Sequence, residues 1–357
     1  MFVGNNDLVG KWAPELVRVG PWVNAAPLRL RYDLADHPVL VTFFTSTDLN
    51  SVRALPVLTA WHKQYGQYGL AIIGVHMPDF SFEQSMHNIA AFLAAYGVTF
   101  PVVLDNQGVA SQAFSCEYRP SFYLVDRQRI VRYVQSGEGE YFALERLIRE
   151  LLREANISPT EPPLVGPEDA RIRCFHPTPR LYCGHARGHI GNAPGEAEGQ
   201  VAMYVDSGDY EQEHIYLQGL WLQEQECVRH ARQTASPVDY LAVRYHAHDV
   251  QAVMGSADGQ PVKVLVRQDG ARLPLAVAGR DVDMVDGEGW VTVTEPRLYA
   301  LITDIGFSSH IVRLSSDSDG FDVYALAFCG SLQRTDLDVR AWLSQQDDRQ
   351  LGPSSLE

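Results

Sequence analysis

Pro159, Pro162, Pro163 and Pro167 fall within residues 156–169. A proline fixes its own φ and has no amide hydrogen, so neither a helix nor an inner strand runs through this stretch. It reads as a semi-rigid linker. The hydrophobic pattern changes across it: strand and helix periods alternate before it, and the helical period stops after it. A length of 357 residues also fits two domains better than one. The expected layout is a first domain over 1–155, a linker over 156–169, a second domain over 170–335 and a tail over 336–357.

In the first part, Val39–Phe44 is a β-branched and aromatic run, the signature of a buried parallel strand. Val52, Leu55, Leu58, Trp61 and Tyr65 recur at helical spacing, and Gly66 and Gly69 end that helix. Leu70–Val75 reads as a strand, Phe82–Tyr96 as a helix and Phe100–Leu104 as a short strand. Ser121–Val125 and Ile130–Val134 flank Asp126-Arg127-Gln128-Arg129, which reads as a hairpin. Tyr141–Ala155 closes the series as a helix.

Beyond the linker, strand-like runs recur between Gly, Asp and Ser clusters. They are Val201–Val205, Tyr216–Leu222, Tyr240–His246, Val262–Val266, Trp290–Val293, Arg297–Ile302, His310–Leu314 and Phe321–Phe328. This spacing predicts an all-β sandwich. Asp338–Gln346 reads as a terminal helix.

The formal net charge of -15 repels phosphate backbones and anionic membrane surfaces, so neither nucleic acid nor membrane is an expected partner. No apolar run reaches the roughly 18 residues of a membrane span. The N-terminal residues lack a basic region followed by an apolar stretch, so they do not read as a signal peptide. A cytoplasmic location is expected unless a targeting segment lies outside this sequence. The cysteines, Cys116, Cys174, Cys183, Cys227 and Cys329, are scattered and form no C-x-x-C pair, which fits reduced thiols.

Several first-part segments occur together and in order: Gly20-Pro21-Trp22-Val23-Asn24, Phe43-Phe44-Thr45, Arg53-Ala54-Leu55-Pro56, Ile73-Gly74-Val75-His76, Leu104-Asp105-Asn106 and Gly137-Glu138-Gly139-Glu140-Tyr141. Over roughly residues 8–153 the chain resembles the redoxin branch of the thioredoxin superfamily, its TlpA-like and DipZ-type members. The second part resembles the C-terminal module of DipZ-type proteins. Thr178-Pro179 with Tyr182, Gly219-Leu220-Trp221, Tyr245-His246-Ala247-His248-Asp249-Val250, Arg297-Leu298-Tyr299 and Tyr324-Ala325-Leu326-Ala327-Phe328 carry that likeness. The resemblance implies an α/β thioredoxin-like domain followed by a β-sandwich of carbohydrate-binding-module type. It also implies an ancestral thiol–disulfide exchange activity, no cofactor and, for DipZ-type relatives, an extracytoplasmic setting.

The family places Cys-x-x-Cys on the turn before the first long helix. Here those positions are Asp48 and Ser51. Nucleophile and resolving group both need thiolates, so the exchange activity does not carry over to these two residues. Asp48 fits either a helix cap or a polar recognition spot shared with Ser51. Tyr118-Arg119-Pro120 falls where the family has a cis-proline before the hairpin, which places Arg119 beside a groove for an extended peptide. An Arg119–Asp48 pair would close that site. Cys116 offers a lone thiol near it, or a small buried hydrophobe. His76 ends a parallel strand and is expected near Asp48. Asp48, His76 and Glu83 are metal-ligand types without fixed geometry, and no metal is expected. Cys174, His176, Cys183, His185 and His189 suggest zinc by residue type, but a strand with loop histidines fits the segment better. Trp221, Tyr216, Trp290 and Tyr299 are candidates for stacking on sugars, or core aromatics.

The first expectation is therefore a redox-inactive binding or scaffolding protein whose peptide or protein partner uses the groove at Pro120. One alternative is an atypical thiol–disulfide oxidoreductase working through Cys116. The other is carbohydrate binding by the second domain.

Overall fold

The computed structural model describes residues 7–155, 176–195 and 197–330. The proline-rich segment 156–169, Cys174 and the terminal segment 338–346 lie outside the described residues. The chain divides into two compact units, one holding residues 7–155 and the other 176–330.

The first unit runs β1 (Trp22–Val23), β2 (Val39–Phe44), α1 (Leu49–Tyr65), β3 (Ala71–His76), α2 (Met86–Ala95), β4 (Val102–Leu104), α3 (Val109–Ala113), β5 (Ser121–Val125), β6 (Val131–Ser136) and α4 (Tyr141–Glu154). Its sheet order is β1-β4-β3-β2-β5-β6. Strands β2, β3 and β4 are parallel, and the β5–β6 hairpin joins β2 antiparallel. This is a thioredoxin-like fold.

Every residue of β2 is buried, as its unbroken apolar run requires. Alternation then sends its side chains to two faces. Leu40 and Phe44 pack with Leu55, Trp61 and Leu144 from α1 and α4. Val41 and Phe43 pack with Ala110, Phe114 and Tyr123 on the other face. Gly20 is needed where the chain crosses β4, because a Cβ there would lie 2.0 Å from the Leu104 carbonyl oxygen.

The sequence expectation over 82–96 needs correction. A single 3₁₀ turn covers Ser81–Gln84, and α2 starts only after Ser85, whose hydroxyl accepts from the Asn88 amide at 3.4 Å. The Glu83 side chain holds the amides of Asp79 and Phe80, which fixes that turn apart from the helix. The short elements β1 and α3 carry too few residues to show a period.

The second unit is all-β. It comprises β7 (Leu181–Tyr182), β8 (Val201–Tyr204), β9 (Ile215–Gln223), β10 (Val228–His230), β11 (Tyr240–Ser256), β12 (Val262–Gln268), β13 (Ala271–Arg272), β14 (Asp283–Val285), β15 (Glu288–Val293), β16 (Arg297–Ser316) and β17 (Phe321–Cys329). These strands form one hydrogen-bonded sheet. The long strand β11 explains why. One edge pairs with β16 throughout, while the other pairs first with β9 and then with β17. Arg297–Ile302 and His310–Leu314 belong to the single strand β16. They are joined through a bulge in which His248 of β11 stands opposite residues 304–307.

Between α1 and α4 lies a buried polar group of three. The Tyr65 hydroxyl donates to Glu145 at 2.5 Å, and Arg149 Nε donates to the Tyr65 oxygen at 2.8 Å. Removing the carboxylate takes an acceptor from the buried Tyr65 hydroxyl and a negative charge from 3.5 Å beside the Arg149 guanidinium. Glu145→Leu is therefore expected to destabilise the first unit by about 3 kcal/mol, read as a lower urea midpoint. An unchanged midpoint would contradict the packing of α4 described here.

Candidate functional site

Strand register sets the site's location. Phe44 of β2 stands beside His76 of β3, His76 stands beside Leu104 of β4, and Phe43 pairs with Ser121 of β5. The carboxyl ends of three parallel strands and the entry to β5 thus share one edge. Ligands of open α/β sheets are held at such an edge.

A carboxylate with no solvent exposure organises this edge. Glu83 Oε1 accepts from Thr45 Oγ1 at 2.6 Å, Ser46 Oγ at 2.6 Å and Ser46 N at 3.0 Å. Its Oε2 accepts from Asp79 N at 2.7 Å, Phe80 N at 3.1 Å and Thr47 Oγ1 at 3.2 Å. Burial alone raises a carboxyl pKa, but His76 and these donors overcome it and hold Glu83 down to about 2. His76 Nε2 lies 3.5 Å from Oε1, an ion-pair distance longer than a good hydrogen bond. Sequence reasoning considered Glu83 only as a metal ligand. The run Thr45-Ser46-Thr47, three hydroxyls between a buried strand and a helix, was the available signal of a buried acceptor.

Asp48 follows that run and caps α1. Its Oδ2 accepts from Ser51 N at 2.8 Å, with extended backbone at the cap residue itself. This satisfies one orphan donor of the helix and places negative charge at the positive end of its dipole. Ser51 is completely buried, and among the described residues its hydroxyl has no hydrogen-bond partner.

The Arg119–Pro120 peptide bond is cis, as the sequence reading predicted. The expected Arg119–Asp48 pair is not formed. Arg119 lies 3.8 Å from the Asp79 carboxylate, and Asp48 is committed to its helix. Tyr118 exposes 57% of its surface just before the turn. Cys116 is buried, and its thiol donates to the Tyr118 carbonyl at 3.3 Å. Burial pushes this thiol's pKa up despite opposing contributions from Ser121, Tyr123 and Arg119.

His76 is completely buried, edge-on to Phe44, and turned toward Glu83. It supports the edge from below and is not presented on it, contrary to its expected binding role. In the second unit, Trp221 and Tyr299 are completely buried core residues, Tyr216 is buried and Trp290 is half-buried. Cys183 is buried, and its thiol pKa is raised by desolvation. Among the described residues no three metal-ligand side chains converge.

Comparison with known proteins bears on both units. Residues 18–134 match the AhpC/TSA family, and residues 178–329 match the thioredoxin like C-terminal domain. The protein DipZ of Mycobacterium bovis is 29% identical over 272 residues, covering 75% of this chain and 38% of DipZ. Such a span exceeds either unit alone. The chain resembles a redoxin joined to a DipZ-type C-terminal domain. It spans well under half the length of DipZ. The thiol-disulfide oxidoreductase YkuV of Bacillus subtilis is 26% identical over 141 residues, covering 40% of this chain and 94% of YkuV. A solved thioredoxin-like protein in its oxidised form covers 40% of this chain and 95% of its own, at 26% identity and a TM-score of 0.37.

Two stability measurements check this geometry. Ser51→Ala removes a buried, unpartnered hydroxyl and should stabilise the unit by about 1 kcal/mol; a loss of similar size would mean that the hydroxyl is bonded. Glu83→Gln should cost roughly 3 kcal/mol at neutral pH, because an amide cannot accept from every donor that the carboxylate holds. The sign of the pH effect follows from the depressed pKa. Stabilisation from Glu83 is complete above its ordinary value of 4.5 and is lost as pH falls toward about 2. The variant's acid unfolding profile should be correspondingly flatter over that window, and a profile parallel to the wild type would contradict the assignment.

Proposed function

We propose that this redoxin-like chain binds an extended polypeptide at the edge beside Pro120 and performs no thiol exchange at positions 48 and 51. The observation that carries this reading is the state of those two residues. The Asp48 carboxylate is engaged as a helix cap, and the Ser51 hydroxyl is sealed inside. Neither offers a nucleophile or a resolving group.

The features that shape a peptide edge are nevertheless present. Pro120 is cis, Tyr118 projects to solvent, and among the described residues the Arg119 backbone makes no hydrogen bond. An extended chain can pair with such a backbone as an added strand does. Burial of Cys116 and its raised pKa count against that thiol as a replacement nucleophile. The burial of Trp221 and Tyr299 counts against those rings as a sugar platform.

Two measurements on the full chain test the proposal. Dithiothreitol-driven insulin reduction should stay at background; turnover comparable with an intact thioredoxin would sink the non-exchange reading, and Cys116→Ser would show whether that thiol carries it. Titration with carboxymethylated insulin B chain, an unfolded polypeptide without free thiols, should shift the amide resonances of Tyr118, Arg119 and Ser121. Shifts confined to other parts of the unit would refute binding at this edge.

A further inference from the structure

Three polar side chains of the second unit, two from β16 and one from the turn after β12, come together where β16 leaves its bulge. Ser308 Oγ lies 2.8 Å from His310 Nε2, and His310 Nδ1 lies 2.7 Å from Asp269 Oδ2. A carboxylate oxygen only accepts, so Nδ1 carries the ring hydrogen. In the neutral ring Nε2 is then bare and accepts the Ser308 hydroxyl hydrogen. The tautomer thus follows from the partners, and it is the one that a general base for serine requires.

The supports are fixed by backbone. Asp269 sits in a left-handed turn conformation, φ 52°, after β12. Its amide donates to the Ile311 carbonyl at 2.8 Å, and its Oδ1 accepts from the Ile311 amide at 2.8 Å. That leaves Oδ2 aimed at the imidazole. Ser308 and His310 are two residues apart on one strand, so they share a face. His310 stands directly across from Tyr245 on β11, with ring centroids 6.0 Å apart. Tyr245 is held in turn by Phe328, stacked at 5.7 Å, and by Gln268 Nε2, which donates to its hydroxyl at 2.9 Å. Second contacts of this kind hold a reactive group in one geometry. The group is also reachable, with side-chain exposures of 28% for His310 and 50% for Asp269.

We propose that Ser308, His310 and Asp269 form a second site, a nucleophilic serine that accepts acyl groups from small carboxylic esters. Ser308 Oγ bonds to the ester carbonyl carbon, and its proton passes to His310 Nε2. The carbon–oxygen bond to the leaving alcohol then breaks, and the alcohol departs with that proton. Water repeats the sequence on the acyl-serine, releasing the acid and restoring the hydroxyl. Ser308 and His310 are the catalytic residues. Asp269 is a positioning residue that holds the ring tautomer and offsets the charge of the imidazolium. The site is independent of the peptide edge in the first unit.

The test uses the full-length protein and a fluorophosphonate probe, with the labelled residue located by peptide mass mapping and p-nitrophenyl acetate hydrolysis followed in parallel. Labelling is expected at Ser308 and should vanish in Ser308→Ala. In His310→Ala the labelling rate should fall about a hundredfold, the usual scale of general-base assistance. Added imidazole should restore part of that rate, an effect that a merely structural histidine would not give. Asp269→Asn keeps an oxygen to accept from Ile311 and so guards against misfolding as an explanation; it should also slow labelling. No labelling of the folded wild type, labelling confined to other serines, or a Ser308 rate unchanged in His310→Ala would overturn the proposal. Each of these results would mark the three residues as a surface hydrogen-bond ladder with ordinary serine reactivity.

Discussion

The buried carboxylate of Glu83 is the constraint on which the first unit's edge depends. Taking a carboxylate out of water costs several kcal/mol. Six donors from two segments offset that cost: the turn between β2 and α1, and the loop between β3 and α2. Parting the two segments would strip the buried carboxylate of the donors from one of them, so the segments are set relative to each other. Asp48 ends that turn, and Asp79 in the partner loop also lies 3.8 Å from the Arg119 guanidinium. One acidic side chain thereby fixes the start of α1 and one neighbour of the cis-proline turn.

Redox chemistry and edge geometry separate cleanly in this arrangement. Exchange needs two thiols at the start of α1, and the chain has a capping carboxylate and a sealed hydroxyl there. The turn, the cis-proline and the hydrogen bonds to Glu83 are all formed. The hydrogen-bonding network reaches Thr45, Ser46 and Thr47 and never involves the side chains at 48 and 51. Substitution at those two positions is therefore compatible with an unchanged scaffold.

Much of the first unit was legible because β2, α1, β3 and α4 carry long, strong periods of apolar residues. The start of α2 was misread because Phe82 and Ile89 continue an apolar pattern, while the interaction that breaks it runs from Glu83 back to backbone amides. Arg119 was placed by chain order alone, which could not show Asp79 in reach. In the second unit, the bulge at 304–307 interrupts the alternation of β16, so one strand read as two. The grouping of Asp269 with Ser308 and His310 depends on that bulge and on a left-handed turn. Neither leaves a period in the sequence.

The most direct test of the account is to restore the missing thiols and nothing else. Asp48→Cys with Ser51→Cys places a thiol at the positive end of α1, where the helix dipole lowers its pKa, and a second at the buried position one turn on. If the Glu83-organised scaffold is intact, the folded double variant forms a reversible disulfide and reduces insulin where the wild type does not. A folded double variant that forms the disulfide and stays inert would show that more than two thiols separates this chain from an exchange enzyme, and would contradict an edge preserved by Glu83.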